Sequence, residues 1–83
     1  MEAKEMFEAL GYVCIYSDDY NLTYVKIFKE NNVKYEIDFL LAEKEVTITP
    51  TYYDEQIYFV QLDKETIQVI NQQCKELGWL DEE

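Results

Sequence analysis

Two stretches of this sequence bring side chains close enough to share a chemical task. In "KYEIDF", Glu36 and Asp38 stand two residues apart. In an extended strand that spacing puts both carboxylates on one face, separated by roughly 6.6 Å. Paired carboxylates hold cations or work as acid and base on either side of a scissile bond. In the second stretch, Asp18 and Asp19 precede Asn21 and offer oxygen donors suited to a hard divalent ion. The remaining inventory is thin. Histidine and arginine are absent and Ser17 is the one serine, so a Ser–His or Cys–His nucleophile has no base. Glycine occurs only at Gly11 and Gly78, too few for a phosphate-cradling loop or a dinucleotide fingerprint. Cys14 and Cys74 lie inside apolar patterns and read as free core thiols, because a metal site needs more ligands at closer spacing. Asp18 and Asp19 lack the twelve-residue loop with a central glycine that an EF-hand requires, and turn formation accounts for them. Glu36 and Asp38 read as the solvated face of a strand. The expectation is a protein without cofactor, metal or catalytic residues.

The elements that position these residues follow from periodicity. Ala3, Met6, Phe7 and Leu10 form one helical stripe, and Gly11 supplies a left-handed stop with Tyr12 folding back on Phe7. A second helix starts at an Asp63 N-cap, with Leu62 stapled onto Ile67 and a stripe of Ile67, Ile70, Cys74 and Leu77. Gly78 stops it, and Trp79 folds back over Cys74. Between the helices the period changes to two. Strands are expected at 12–17, 22–29, 33–41 and 45–49, the last ended by Pro50, and at 56–62, which is apolar on both faces. Asn31-Asn32 reads as a two-residue hairpin turn. In the third strand Val33, Tyr35, Ile37 and Phe39 face inward, and a one-residue slip would bury Glu36 and Asp38. The expected fold is α+β, an antiparallel four- to five-stranded meander in the order α-β-β-β-β-β-α. Both helices are expected on one sheet face, in a single domain over residues 1–83.

Charge narrows the partners. Eighteen acids against seven lysines give a net charge of −11. Such a surface repels nucleic acid and anionic membranes and attracts basic proteins. No apolar run reaches the roughly 20 residues of a membrane span. The acidic start "MEAKEMFEAL" does not read as a signal peptide, so a cytoplasmic location is expected.

"KEMFEALGY" at the start and "INQQCKELGW" at the finish, around tyrosine-rich strands, resemble small uncharacterised proteins of phages and prophages of Gram-positive bacteria. The resemblance spans nearly the whole length and its signature is mostly structural. It carries over no functional residues. It implies a phage-borne accessory protein in a bacterial cytoplasm, and by analogy the class that includes anti-CRISPR and anti-restriction inhibitors.

Charge and resemblance together give the functional expectation. Carboxylates spaced like neighbouring phosphates imitate a nucleic-acid backbone and occupy a basic nuclease channel. The candidate partner-binding residues are Asp18, Asp19, Tyr24, Glu36, Asp38, Glu43, Glu45, Asp54 and Glu55. Tyr20, Tyr24, Tyr52, Tyr53 and Tyr58 are too many for so small a core, and exposed tyrosines beside acids anchor protein interfaces. The partner is a basic host or defence protein, with no direct nucleic-acid or membrane contact. The alternative is self-association: a homodimer covers the apolar faces of "LTYVKIF" and "QIYFVQL", and the acidity serves solubility.

Overall fold

The computed structural model describes residues Glu2–Leu80 and shows the expected α+β order. The elements are α1 (Ala3–Ala9), β1 (Val13–Ser17), β2 (Asn21–Phe28), β3 (Val33–Leu40), β4 (Glu45–Tyr52), β5 (Glu55–Gln56) and α2 (Lys64–Glu76). They form two compact units, a sheet unit over Tyr12–Val60 and a helical unit made of the chain up to Gly11 and from Gln61 on.

The sheet is an antiparallel meander in sequential order β1-β2-β3-β4-β5. β3 sets its register. Tyr35, Ile37 and Phe39 are buried while Lys34, Glu36 and Asp38 stay half-buried on the other face. Ile37 lies between Tyr24 of β2 and Ile48 of β4, and Asp38 between Thr23 and Thr47. The buried face is aromatic: Tyr24 meets Phe39 edge-on at 6.3 Å, and Phe28 meets Tyr35 at 5.0 Å. Such edge-to-face pairs contribute about 0.5–1.5 kcal/mol beyond their burial.

Three expectations about this unit are corrected. The Asn31-Asn32 turn is a four-residue connection, because Phe28 pairs with Val33. Asn31 N–H donates to the Phe28 carbonyl, and Asn32 alone takes a left-handed φ of 59°. Pro50 does not end β4, which runs through it to Tyr52. The fifth strand is two residues long rather than the whole of 56–62.

One residue explains the last two. The Pro50 carbonyl accepts from Ile57 N–H at 3.1 Å, so its backbone faces β5. Along a strand, the N–H and C=O of one residue point to the same neighbour. Proline at this position therefore costs the β3–β4 ladder nothing. It removes the return bond to Ile57, and the β4–β5 ladder ends there.

In the helical unit both helices end at the expected glycines. Gly11 (φ 96°) and Gly78 (φ 77°) end α1 and α2 in left-handed conformation. At α2, Gly78 N–H donates to the Lys75 carbonyl and Trp79 N–H to the Cys74 carbonyl, the bond pair of a Schellman stop. The Asp63 cap forms too, accepting from Thr66 N–H at 2.9 Å and from Thr66 Oγ1–H at 2.7 Å. The α2 stripe, however, is turned by about one residue. Thr66, Val69 and Gln73 are buried, whereas Ile67 is 54% exposed. Ile67 thus sits on the outer side of α2 and not in its buried stripe.

Candidate interaction surface

The face of the sheet opposite the aromatic core carries most of the nominated carboxylates. Residues directly opposed across antiparallel strands share a face. Glu36 and Asp38 of β3 therefore stand with Thr47, Thr49 and Glu45 of β4, and with Thr23 and Val25 of β2. The threonine ladder in "EVTITPT" was not singled out from the sequence, although its alternation signals it. Asp38 accepts a 2.6 Å hydrogen bond from the Thr23 hydroxyl.

Burial, the neighbouring Asp38 charge and a hydrogen bond to Asp38 together raise the Glu36 carboxyl above its ordinary value, while Lys34 pulls it back.

The turns contribute at both ends. Leu41 N–H donates to the Tyr20 carbonyl, tying the β3–β4 turn to the β1–β2 turn. That places Asp18, Asp19 and Glu43 at one end of the sheet. Asp18 is committed locally, as the turn reading expected: Tyr20 N–H, Asn21 N–H and the Tyr16 hydroxyl all donate to it at 2.8 Å. Those bonds, led by the two backbone amides, hold its carboxyl below the ordinary value. Asp54 and Glu55 lie at the opposite end, in the β4–β5 hairpin, where Tyr53 and Asp54 take φ of 52° and 67°. There the Tyr53 hydroxyl accepts from Asn32 Nδ2–H at 2.7 Å, and the Tyr52 and Tyr53 rings meet at 4.6 Å.

One nominated residue does not belong to this surface. Tyr24 is 2% exposed and packs on Phe39 in the core, because its position in β2 pairs it with Ile37. The other nominees divide into a face (Glu36, Asp38, Glu45), a near end (Asp18, Asp19, Glu43) and a far end (Asp54, Glu55). Tyr20, Tyr52, Tyr53 and Tyr58 are exposed, Tyr58 at 93%.

Chemically, the face offers carboxylate and hydroxyl oxygens to a cation or donor approaching from outside. Among the described residues no group of three or more metal-ligating side chains comes together. In the helical unit a groove of about 160 Å³ is lined by Met6, Ala9, Leu10, Glu65, Gln68 and Val69. That is below the roughly 300–1,000 Å³ of small-molecule sites. Among the described residues no helix is long and apolar enough to cross a membrane. Comparison with protein-family models, with curated proteins and with solved structures finds no match to this chain.

The carboxyl pair has a testable pH signature. A carboxyl raised on folding makes the folded chain bind its proton more tightly than the unfolded chain, so stability falls as pH rises through the raised value. Glu36→Gln removes that term. The variant is expected to be more stable than the parent at neutral pH, with the difference shrinking toward the ordinary carboxyl value of 4.5. Asp18→Asn runs the other way, losing stability at neutral pH and converging with the parent in acid. Urea denaturation of both variants from pH 3 to pH 8 measures this. A Glu36→Gln difference independent of pH would mean that the carboxyl is unperturbed.

Proposed function

We propose that this protein is a non-enzymatic binding protein that inhibits a basic nucleic-acid-handling protein, of the class of CRISPR or restriction nucleases, by imitating a nucleic-acid backbone. The observation that carries this reading is the common face of Glu36, Asp38 and Glu45 in a chain of net charge −11. Asp19 and Glu43 extend the acidic surface at the near end. The backbones of Glu36 and Asp38 are roughly 6.6 Å apart along β3, their carboxyls meet in a hydrogen bond, and the flanking threonines add hydroxyls without adding positive charge. A lysine- and arginine-lined channel meets such a surface with fast, salt-sensitive association.

The test is inhibition of purified CRISPR and restriction nucleases, read as cleavage of a labelled duplex at several salt concentrations. Inhibition is expected to weaken as salt rises. The triple change Glu36→Lys, Asp38→Lys and Glu45→Lys is expected to lower it at least 100-fold while circular dichroism remains that of the parent. Asp54→Lys with Glu55→Lys, at the far end, serves as the charge-matched comparison and is expected to change it by less than tenfold. Undiminished inhibition by the folded triple variant would end the mimicry reading.

A further inference from the structure

The turn at the tip of the β4–β5 hairpin holds residues that its backbone disfavours. Thr51 pairs with Gln56 and Tyr52 with Glu55, so Tyr53 and Asp54 form a two-residue connection. Both take positive φ, 52° and 67°, the pattern that Asn-Gly fills most easily in such hairpins. A tyrosine in left-handed conformation is strained, and such strain persists only where the surroundings hold it. Here the β2–β3 connection holds it. Tyr53 N–H donates to the Asn32 carbonyl at 3.3 Å, and Asn32 Nδ2–H donates to the Tyr53 hydroxyl at 2.7 Å. The ring fixed in this way is not used as core: Tyr53 is 64% exposed and Tyr52 47%. The two rings stand at 77° with centres 4.6 Å apart, forming a right-angled corner on the surface. Glu55, directly opposite Tyr52 on β5, shares its face, and Asp54 follows Tyr53 in the turn. Lys29 and Glu30 on the neighbouring connection offset each other in charge.

We propose that the Tyr52–Tyr53 corner is a binding site for a methylated ammonium group. Aromatic faces carry partial negative charge and attract cations. Walls at right angles suit a rounded quaternary ammonium, which rests over one face while its methyl groups touch the second ring. A guanidinium is flat and stacks on one ring only. A metal ion calls for a set of oxygen ligands, and among the described residues no group of three assembles. The carboxylates of Asp54 and Glu55 add attraction at longer range, and the net charge of −11 disfavours anionic compounds. The chain holds a cation of its own by the same physics, with Lys26 Nζ 4.7 Å from the centre of the Phe28 ring. Tyr52 pairs with Val33 of β3, which sets it on the sheet face opposite Glu36 and Asp38. The inference therefore does not depend on the acidic face being an inhibitor surface.

Choline is the probe, and its neutral isostere 3,3-dimethylbutan-1-ol is the control. Each is titrated into the protein while the ring signals of Tyr52 and Tyr53 are followed by NMR. Choline is expected to shift both rings with a Kd on the order of millimolar, and the isostere to bind at least about tenfold more weakly. A trimethyl-lysine peptide, run beside its unmodified lysine form, separates a protein source of the ammonium from a free compound, since the tighter of peptide and choline names the source. Tyr53→Asn removes one wall and suits the left-handed turn. It is expected to keep the parent's circular dichroism and to bind choline about tenfold more weakly. The proposal is overturned if choline shifts neither ring, if choline and the isostere bind equally, or if folded Tyr53→Asn binds choline as the parent does.

Discussion

Phe39→Ala is expected to cost about 3–5 kcal/mol, the range for deleting a buried aromatic ring and leaving its cavity. Phe39 is wholly buried on the inner face of β3, with Leu22 opposite on β2 and Val46 opposite on β4. Ladders on both sides hold those strands at about 4.8 Å spacing, so the sheet cannot close over the void, and the Tyr24 ring loses its edge-on partner. A chain of this length has a total stability of roughly 4–12 kcal/mol. The loss is therefore at least about a quarter of the total, and at the low end of that range it brings the variant to the midpoint of unfolding. Phe39→Leu keeps most of the volume and is expected to lose about 1–1.5 kcal/mol. Denaturant titration of the pair reads both values. A loss below about 1 kcal/mol for Phe39→Ala would mean that the ring is not a core residue.

Glu76→Ala has the next largest expected effect, through the helices rather than the sheet. The Glu76 carboxylate accepts from Ala3 N–H at 2.8 Å and from Gln72 Nε2–H at 2.9 Å. Ala3 opens α1, so an α2 carboxylate satisfies one of the unpaired amides in its first turn and sits at the positive end of its dipole. α1 has seven residues and is too short to persist alone in water. Charged hydrogen bonds contribute about 1.5–3 kcal/mol, and exposure lowers that to about 1–2 kcal/mol here. Glu76→Gln keeps an acceptor without the charge and is expected to recover about half of the loss. The measurement is thermal melting with amide exchange over residues 3–6. Unchanged exchange at Ala3 in Glu76→Ala would remove this contact from any account of α1.

Both effects rest on interactions of different legibility. That Phe39 faces inward was readable, because Val33, Tyr35, Ile37 and Phe39 alternate with Lys34, Glu36 and Asp38, and no other register keeps those charges out of the core. The glycine stops and the Asp63 cap were readable for a similar reason: each is decided within four or five residues of chain. The tie from Glu76 to Ala3 spans 73 residues and leaves no local trace. The stripe of α2 was misjudged by about one position, because Ile67 and Val69 are both apolar and only packing selects between them. Tyr24 was misassigned because tyrosine suits a core and an interface equally well, and its pairing with Ile37 decided the matter.

The candidate surface divides along the same line. Glu36 and Asp38 were placed together by strand period alone. Glu45 joined them through the β3–β4 register, and Glu43 joined Asp18 and Asp19 through the turn-to-turn bond between Leu41 and Tyr20. Asp54 and Glu55 ended at the far end of the sheet because the meander sends alternate hairpins to opposite ends.

By itself, the sequence determined the element order, the helix stops, the inner face of β3 and the acidic balance, since each depends on residue type and local spacing. The tertiary structure alone decided that Pro50 would cut β5 to two residues, that β1 would remain an uncharged open edge, and that eight of the nine nominated residues would lie outside the core. Those outcomes depend on which backbone groups face which neighbour, and that is fixed only when the strands pair.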